Sequence, residues 1–271
     1  MCILCDIISA KNQLHPSDER VQTVAEECAN VLTHLFGLVY AIIQLITFRR
    51  YCKRRGFSNL KQWGVLAFCV TSLIMYANST VYHLSNIIIP DWICLRYFFQ
   101  RLDHVSIYIL ISGCYTCFII CRTFDKGWNK TGWLAIFVVV AMALIGFLFT
   151  IFAPPTTRAD VIMYLAMGWS CLLYVPGVIY FCPVSLMVYL FTGGVSYAAG
   201  TFFLSYDRIY FNHGLWHLIV WAANFQHALG VLIACDDEQV KGLKQPYVLM
   251  KKLFTEFIYG EQKHIKNNTE E

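Results

Sequence analysis

The chain has 271 residues, of which 58% are apolar by a broad count and only 14% are charged. A soluble domain carries about 25% charged residues, so the composition excludes an ordinary soluble protein and points to an integral membrane protein with one helical domain. The net charge of +4 is spread over connections and tail rather than gathered on one face, which argues against nucleic acid as a partner.

In chain order, residues 1–30 form a short, polar, amphipathic N-terminal segment that turns helical where Glu26 to Asn30 lead into the first apolar run. Seven such runs follow, at about 31–48, 64–84, 104–121, 132–152, 161–181, 184–205 and 214–235. Each is close to the roughly 20 residues that cross a hydrocarbon core as a helix. The fold class is therefore all-α, a seven-transmembrane helix bundle in a multi-pass membrane protein. Residues 236–271 read as a polar tail, and Pro183 leaves almost no loop between the fifth and sixth spans. Gly193, Gly194 and Gly200 mark positions where helices approach closely.

Seven of the twelve cysteines (Cys69, Cys114, Cys117, Cys121, Cys171, Cys182 and Cys235) lie within or beside apolar runs, where cysteine serves as a small apolar filler. Cys2 and Cys5 are at most a lipidation site. With an odd number of spans, Lys11, Arg20, Arg96, Arg101, Arg158 and Arg208 share one side of the membrane. The remaining fifteen lysines and arginines share the other. That asymmetry makes the C-terminal side cytoplasmic.

The polar residues at membrane depth collect on the N-terminal side. His213 and His217 open the seventh span four residues apart, on one helix face. His83 closes the second span, with Ser79 one turn deeper, and Asp103 opens the third. Ionisable groups inside a membrane are costly and mark functional sites. Three imidazoles with one open coordination position match a catalytic zinc centre, although copper, iron and nickel also accept imidazole. On this reading His83, His213 and His217 are metal ligands, Asp103 is a general base, and Ser79 orients water or a substrate carbonyl. The plainer alternatives are a helix N-terminal charge for Asp103 and a hydroxyl bonded to its own i−4 carbonyl for Ser79. His34 and His227 read as interhelical hydrogen-bonders, His227 lying roughly 15 Å along the helix from His217.

Ser79 to His83 (STVYH), the LDH around Asp103, and HGLWH followed by Ala222, Ala223 and His227 together resemble the progestin and adipoQ receptor family and its hemolysin III relatives. Glu26 to His34 (EECANVLTH) is similar to the segment that precedes the first span of that family, and size and tail resemble the monocyte-to-macrophage differentiation factor branch. The resemblance implies a seven-helix fold with Zn2+ held by His83, His213 and His217, and with Asp103 and Ser79 close to it. It also implies kinship with alkaline ceramidases and hence hydrolysis of a ceramide-like lipid amide. The alternative it carries is a membrane receptor or signalling regulator with a structural zinc, meeting signalling proteins at the cytoplasmic face. A channel or transporter ranks below both, because few charged residues lie deeper in the spans. Adiponectin-receptor relatives place the N-terminus in the cytoplasm, against the charge count. A glycan on the Asn267-Asn268-Thr269 sequon would decide for them.

Overall fold

A computed structural model describes residues 22–152, 159–206, 208–238 and 245–259. Seven helical segments among them are long and apolar enough to cross a membrane. They are α1 (Val24–Arg54), α2 (Asn59–Ile88), α3 (Ile93–Thr123), α4 (Asn129–Phe152), a fifth span made of α5 (Ala159–Gly168) and α6 (Val175–Phe181), α7 (Val184–Ser205) and α8 (Asn212–Cys235). The N-terminal 21 residues, including Cys2 and Cys5, and the Asn267 sequon lie outside the described residues.

The helices run past the ends of the apolar runs because capping and charge hold their termini. At the start of α1, Glu26 N–H donates to Thr23 Oγ1 and Thr23 N–H donates to Glu26 Oε2, a reciprocal capping box. The last turn of α1 holds Lys53 and Arg54, the charge sign that suits a helix C-terminus. Gly56 then turns the chain with φ of 63°, and Ser58 caps α2.

Three features extend the reading of the apolar runs, and one reading of Asp103 is corrected. The third helix begins at Ile93, since nothing in ICLRYFFQRLD breaks a helix once Pro90 is passed. Arg101 and Asp103 therefore lie well inside α3, and the reading of Asp103 as a helix N-terminal charge fails. The fifth span is interrupted by a 3-10 turn at Ser170–Tyr174, between Gly168 and Pro176. The tail is not wholly irregular: Pro246–Tyr259 forms an amphipathic helix, α9, that buries Leu249, Met250 and Leu253 against α1 and α8. Its Phe254 ring stacks on Tyr40 at 6.0 Å.

In packing, α2 lies between α1 and α3, and α7 runs along α8. The most apolar stretch of α8 is 61% buried against 17% for that of α4, so α8 is a core helix and α4 faces lipid. Gly37 lets α1 approach α2, since a Cβ there would lie 2.3 Å from the Tyr76 ring. On the tail side, Tyr51 donates to Asp236 Oδ2 at 2.6 Å and Arg55 Nε donates to the same atom at 2.5 Å, joining the ends of α1 and α8. That hydrogen bond and the negative charge of Asp236 raise the pKa of the Arg55 guanidinium. The seven cysteines assigned to apolar runs are all free thiols, five of them buried, whereas Cys94 at the start of α3 is disulfide-bonded.

Candidate metal centre

The alternation of helix directions brings the end of α2, the start of α8 and the start of α1 to one face of the bundle. There His83, His213 and His217 each present a ring nitrogen, and the three nitrogens all lie within 4.8 Å of one another. Their rings pack with centroids 4.8 Å (His83 and His213), 5.0 Å (His83 and His217) and 4.5 Å (His213 and His217) apart. Tetrahedral coordination with metal–nitrogen bonds of about 2.1 Å separates ligand atoms by about 3.4 Å, so small side-chain rotations close the cluster onto an ion. This cluster could hold a metal, and no other such group occurs among the described residues.

The hydrogen bonds around the rings select the coordinating nitrogens. His83 Nδ1 lies 2.7 Å from Glu27 Oε2, so it carries the proton and donates. Nε2 of the same ring is buried without a partner in the protein, which is the state of an imidazole prepared for a ligand. Glu27 is held in turn by Asn86, whose Nδ2 donates to Oε1 at 2.9 Å, and Asn86 accepts from Arg96 Nε at 2.8 Å. Thr33 Oγ1 donates to the carbonyls of Ala29 and Asn30, and therefore accepts from His217 Nδ1 at 3.1 Å. That leaves Nε2 of His217 for a metal as well. The first turn of α8 is fixed by Glu26, which accepts from Phe211 N at 3.0 Å, and by Asn212 Nδ2 donating to Phe203 O at 2.9 Å. Phe211 takes φ of 60°, a conformation L residues rarely adopt and one tolerated where surroundings over-determine it.

Asp103 is buried beside the cluster, with His83, His104 and Ser79 as its electrostatic neighbours. It lies outside the histidine group itself. The Ser79 hydroxyl is buried, makes no bond to its own i−4 carbonyl and stands beside the Asp103 carboxylate. Its neighbour Thr80 does make that bond, to Tyr76 O at 2.7 Å. His227 binds across helices, with Nδ1 3.3 Å from Cys114 Sγ and Nε2 3.4 Å from Leu190 O. His34 does not: neither of its ring nitrogens has a partner, and its ring packs on His217 with centroids 3.5 Å apart.

Sequence reasoning missed Glu27 and Thr33, although an acid at the edge of a membrane helix is itself a signal. It also missed a second polar group one residue from Asp103. His104 Nδ1 lies 3.2 Å from Asp160 Oδ2, Thr150 donates to Asp160 Oδ1 at 2.7 Å, and Arg101 binds Thr150 O and the Tyr97 hydroxyl. A small apolar cavity of about 100 Å3 lies between α3, α5, α7 and α8. Trp216, next in sequence to His217, lines it, as do Tyr164, Trp169 and His227.

A profile of the haemolysin-III related family matches residues 22–228. Hemolysin-3 of Bacillus cereus is 30% identical over 203 residues, covering 73% of this chain and 87% of that protein. The Hemolysin-3 homolog of Bacillus subtilis strain 168 is 29% identical over 218 residues, covering 79% of this chain and 96% of its own length.

Proposed function

Since the chain belongs to the haemolysin-III related family, whose matched region takes in His83, His213 and His217, we propose that it is a zinc-dependent membrane hydrolase acting on the amide of a ceramide-like lipid. The observation that carries this reading is the convergence of three histidine nitrogens with the buried carboxylate of Asp103 beside them.

His83, His213 and His217 would hold the ion, each ring bringing one nitrogen to the shared point. Zinc in such a site supplies Lewis acidity toward a carbonyl and acidifies water. Asp103 accepts the proton of the attacking water at its carboxylate and passes it to the leaving amine, so that one water is consumed for each C–N bond broken. Ser79, beside the Asp103 carboxylate, orients the water or the substrate carbonyl. The apolar cavity that starts at Trp216 offers an acyl chain a place while its amide reaches the histidines.

One observation favours a second reading, a receptor or signalling regulator in which the metal is a staple. The two ligand-bearing helices, α2 and α8, meet each other less closely than they meet α3 and α7, so an ion between them would strengthen their relation.

Release of fatty acid from a panel of ceramides by purified, zinc-loaded protein separates the two. The hydrolase reading expects release that Asp103→Asn abolishes while the metal stays bound. Zinc-loaded protein that releases nothing from the whole panel would overturn it in favour of the staple.

A further inference from the structure

Below the histidine cluster the bundle interior is not apolar. Along α1 the buried positions recur at Asn30, His34, Gly37, Ala41, Gln44 and Phe48, alternating steps of four and three, which is one face of one helix. His34 and Gln44 stand on that face about 15 Å apart along the axis, half the thickness of a hydrocarbon core of about 30 Å. Between them Tyr76 of α2 inserts over Gly37, its ring 5.4 Å from that of His34. Asn224 of α8 is wholly buried and donates to Ser72 Oγ of α2 at 2.9 Å. Gln44 donates to the Tyr40 hydroxyl at 3.3 Å.

Five polar atoms of these side chains meet no partner in the protein: both ring nitrogens of His34, the Tyr76 hydroxyl, Gln44 Oε1 and Asn224 Oδ1. Exchanging oxygen and nitrogen on either amide would still leave one end unmet. Buried polar groups are almost always satisfied, and several orphans on facing sides of one interhelical seam indicate a shared ligand rather than scattered defects. That ligand must both donate and accept, since neutral imidazole, phenol and amide oxygen ask for both. It must be small enough to sit among packed rings, and it must be uncharged, because none of the named side chains is an acid, a lysine or an arginine. Water meets these conditions. Toward the tail side the seam is closed by buried Phe48, Phe68 and Leu232 of the main apolar cluster. Its entrance is therefore the His34 ring, tilted against that of His217.

We propose that the seam between α1, α2 and α8 is a blind water well: a short file of ordered waters bound by His34, Tyr76, Asn224 and Gln44, entered from the histidine cluster and sealed below. The well stands on its own observations, whatever chemistry the cluster performs. For any hydrolysis there, it keeps water within reach of a centre otherwise walled by lipid-facing helices.

The test is radiolytic hydroxyl labelling of the full chain in nanodiscs in H2(18)O, with Phe48 as the dry reference, since it is buried in the main apolar cluster. Tyr76 is expected to be labelled several-fold above Phe48, with slow exchange of the isotope. The same preparation compares the thermal stability of wild type and Tyr76→Phe. Removing a hydroxyl that binds water is expected to lower the unfolding temperature by about 2–4 °C, whereas removing an orphan from a dry seam would leave it unchanged or raise it. Tyr76 labelled no more than Phe48, or a Tyr76→Phe protein as stable as wild type or more so, overturns the proposal.

Discussion

Glu27 on α1 and His83 on α2 meet through a 2.7 Å contact between a carboxylate oxygen and Nδ1, 56 residues apart in sequence. The bond fixes the tautomer of His83 and turns its unpartnered Nε2 inward. A carboxylate behind a ligating histidine typically contributes 10- to 100-fold to metal affinity. Glu27→Ala is expected to weaken metal binding by about that factor, and Glu27→Gln by less, because its amide oxygen still accepts from Nδ1. Competition against a chromophoric chelator measures both. Equal affinity in all three proteins would remove Glu27 from the site.

Asp103 and His217 are both buried at the cluster, yet they are expected to fail differently when changed. His217→Ala removes a ligand, so metal content falls along with any activity. Asp103→Asn keeps the three nitrogens in place and removes only the proton acceptor, a loss of about 100- to 10,000-fold in turnover. Metal content and turnover measured on the same samples distinguish them. Loss of metal from Asp103→Asn would make Asp103 a ligand instead.

Gly37 is set by packing alone. A methyl group there would come 2.3 Å from Tyr76, a buried ring with Ser72 one turn below it and Thr80 one turn above. Overpacking of this kind costs about 1–3 kcal/mol. Gly37→Ala is expected to lower the unfolding temperature in detergent, and a neutral result would mean that α1 and α2 separate easily.

The disulfide at Cys94 bears on orientation, because disulfides persist on the oxidising side of a membrane. Cys94 lies on the N-terminal side with the histidine cluster, the side that holds only Lys11, Arg20, Arg96, Arg101, Arg158 and Arg208 among the basic residues. On these two signs the cluster is expected on the non-cytoplasmic face and the tail in the cytoplasm. Asn267 is then expected to carry no glycan in cells. A glycan on Asn267 would invert the assignment.

The seven spans and the histidine cluster were legible in the sequence because both depend on local periodicity. Long uncharged runs announce membrane helices, and the four-residue spacing of His213 and His217 puts them on one face whatever the tertiary structure. Chain parity then brought His83 to the same level. What could not be read depends on distant pairing. His104 opens the third apolar run with no partner visible in the sequence, and Asp160 lies 3.2 Å from it in the fold. Thr33 becomes a histidine partner only when α1 and α8 meet. The turns of α3 that precede the third apolar run are not apparent from the sequence, because only the fold shows Arg101 buried and bound to a carbonyl of α4. The tail helix α9 was hidden by its lysines, since its apolar face is only one stripe wide.

The metal content of the purified chain tests the central claim most directly. Elemental analysis of detergent-purified wild type beside His83→Ala, His213→Ala and His217→Ala should find about one zinc ion per chain in the wild type, as a single three-histidine centre requires, and a large loss in each variant. Wild-type protein free of metal, or variants that retain as much as wild type, would contradict a metal centre at these histidines.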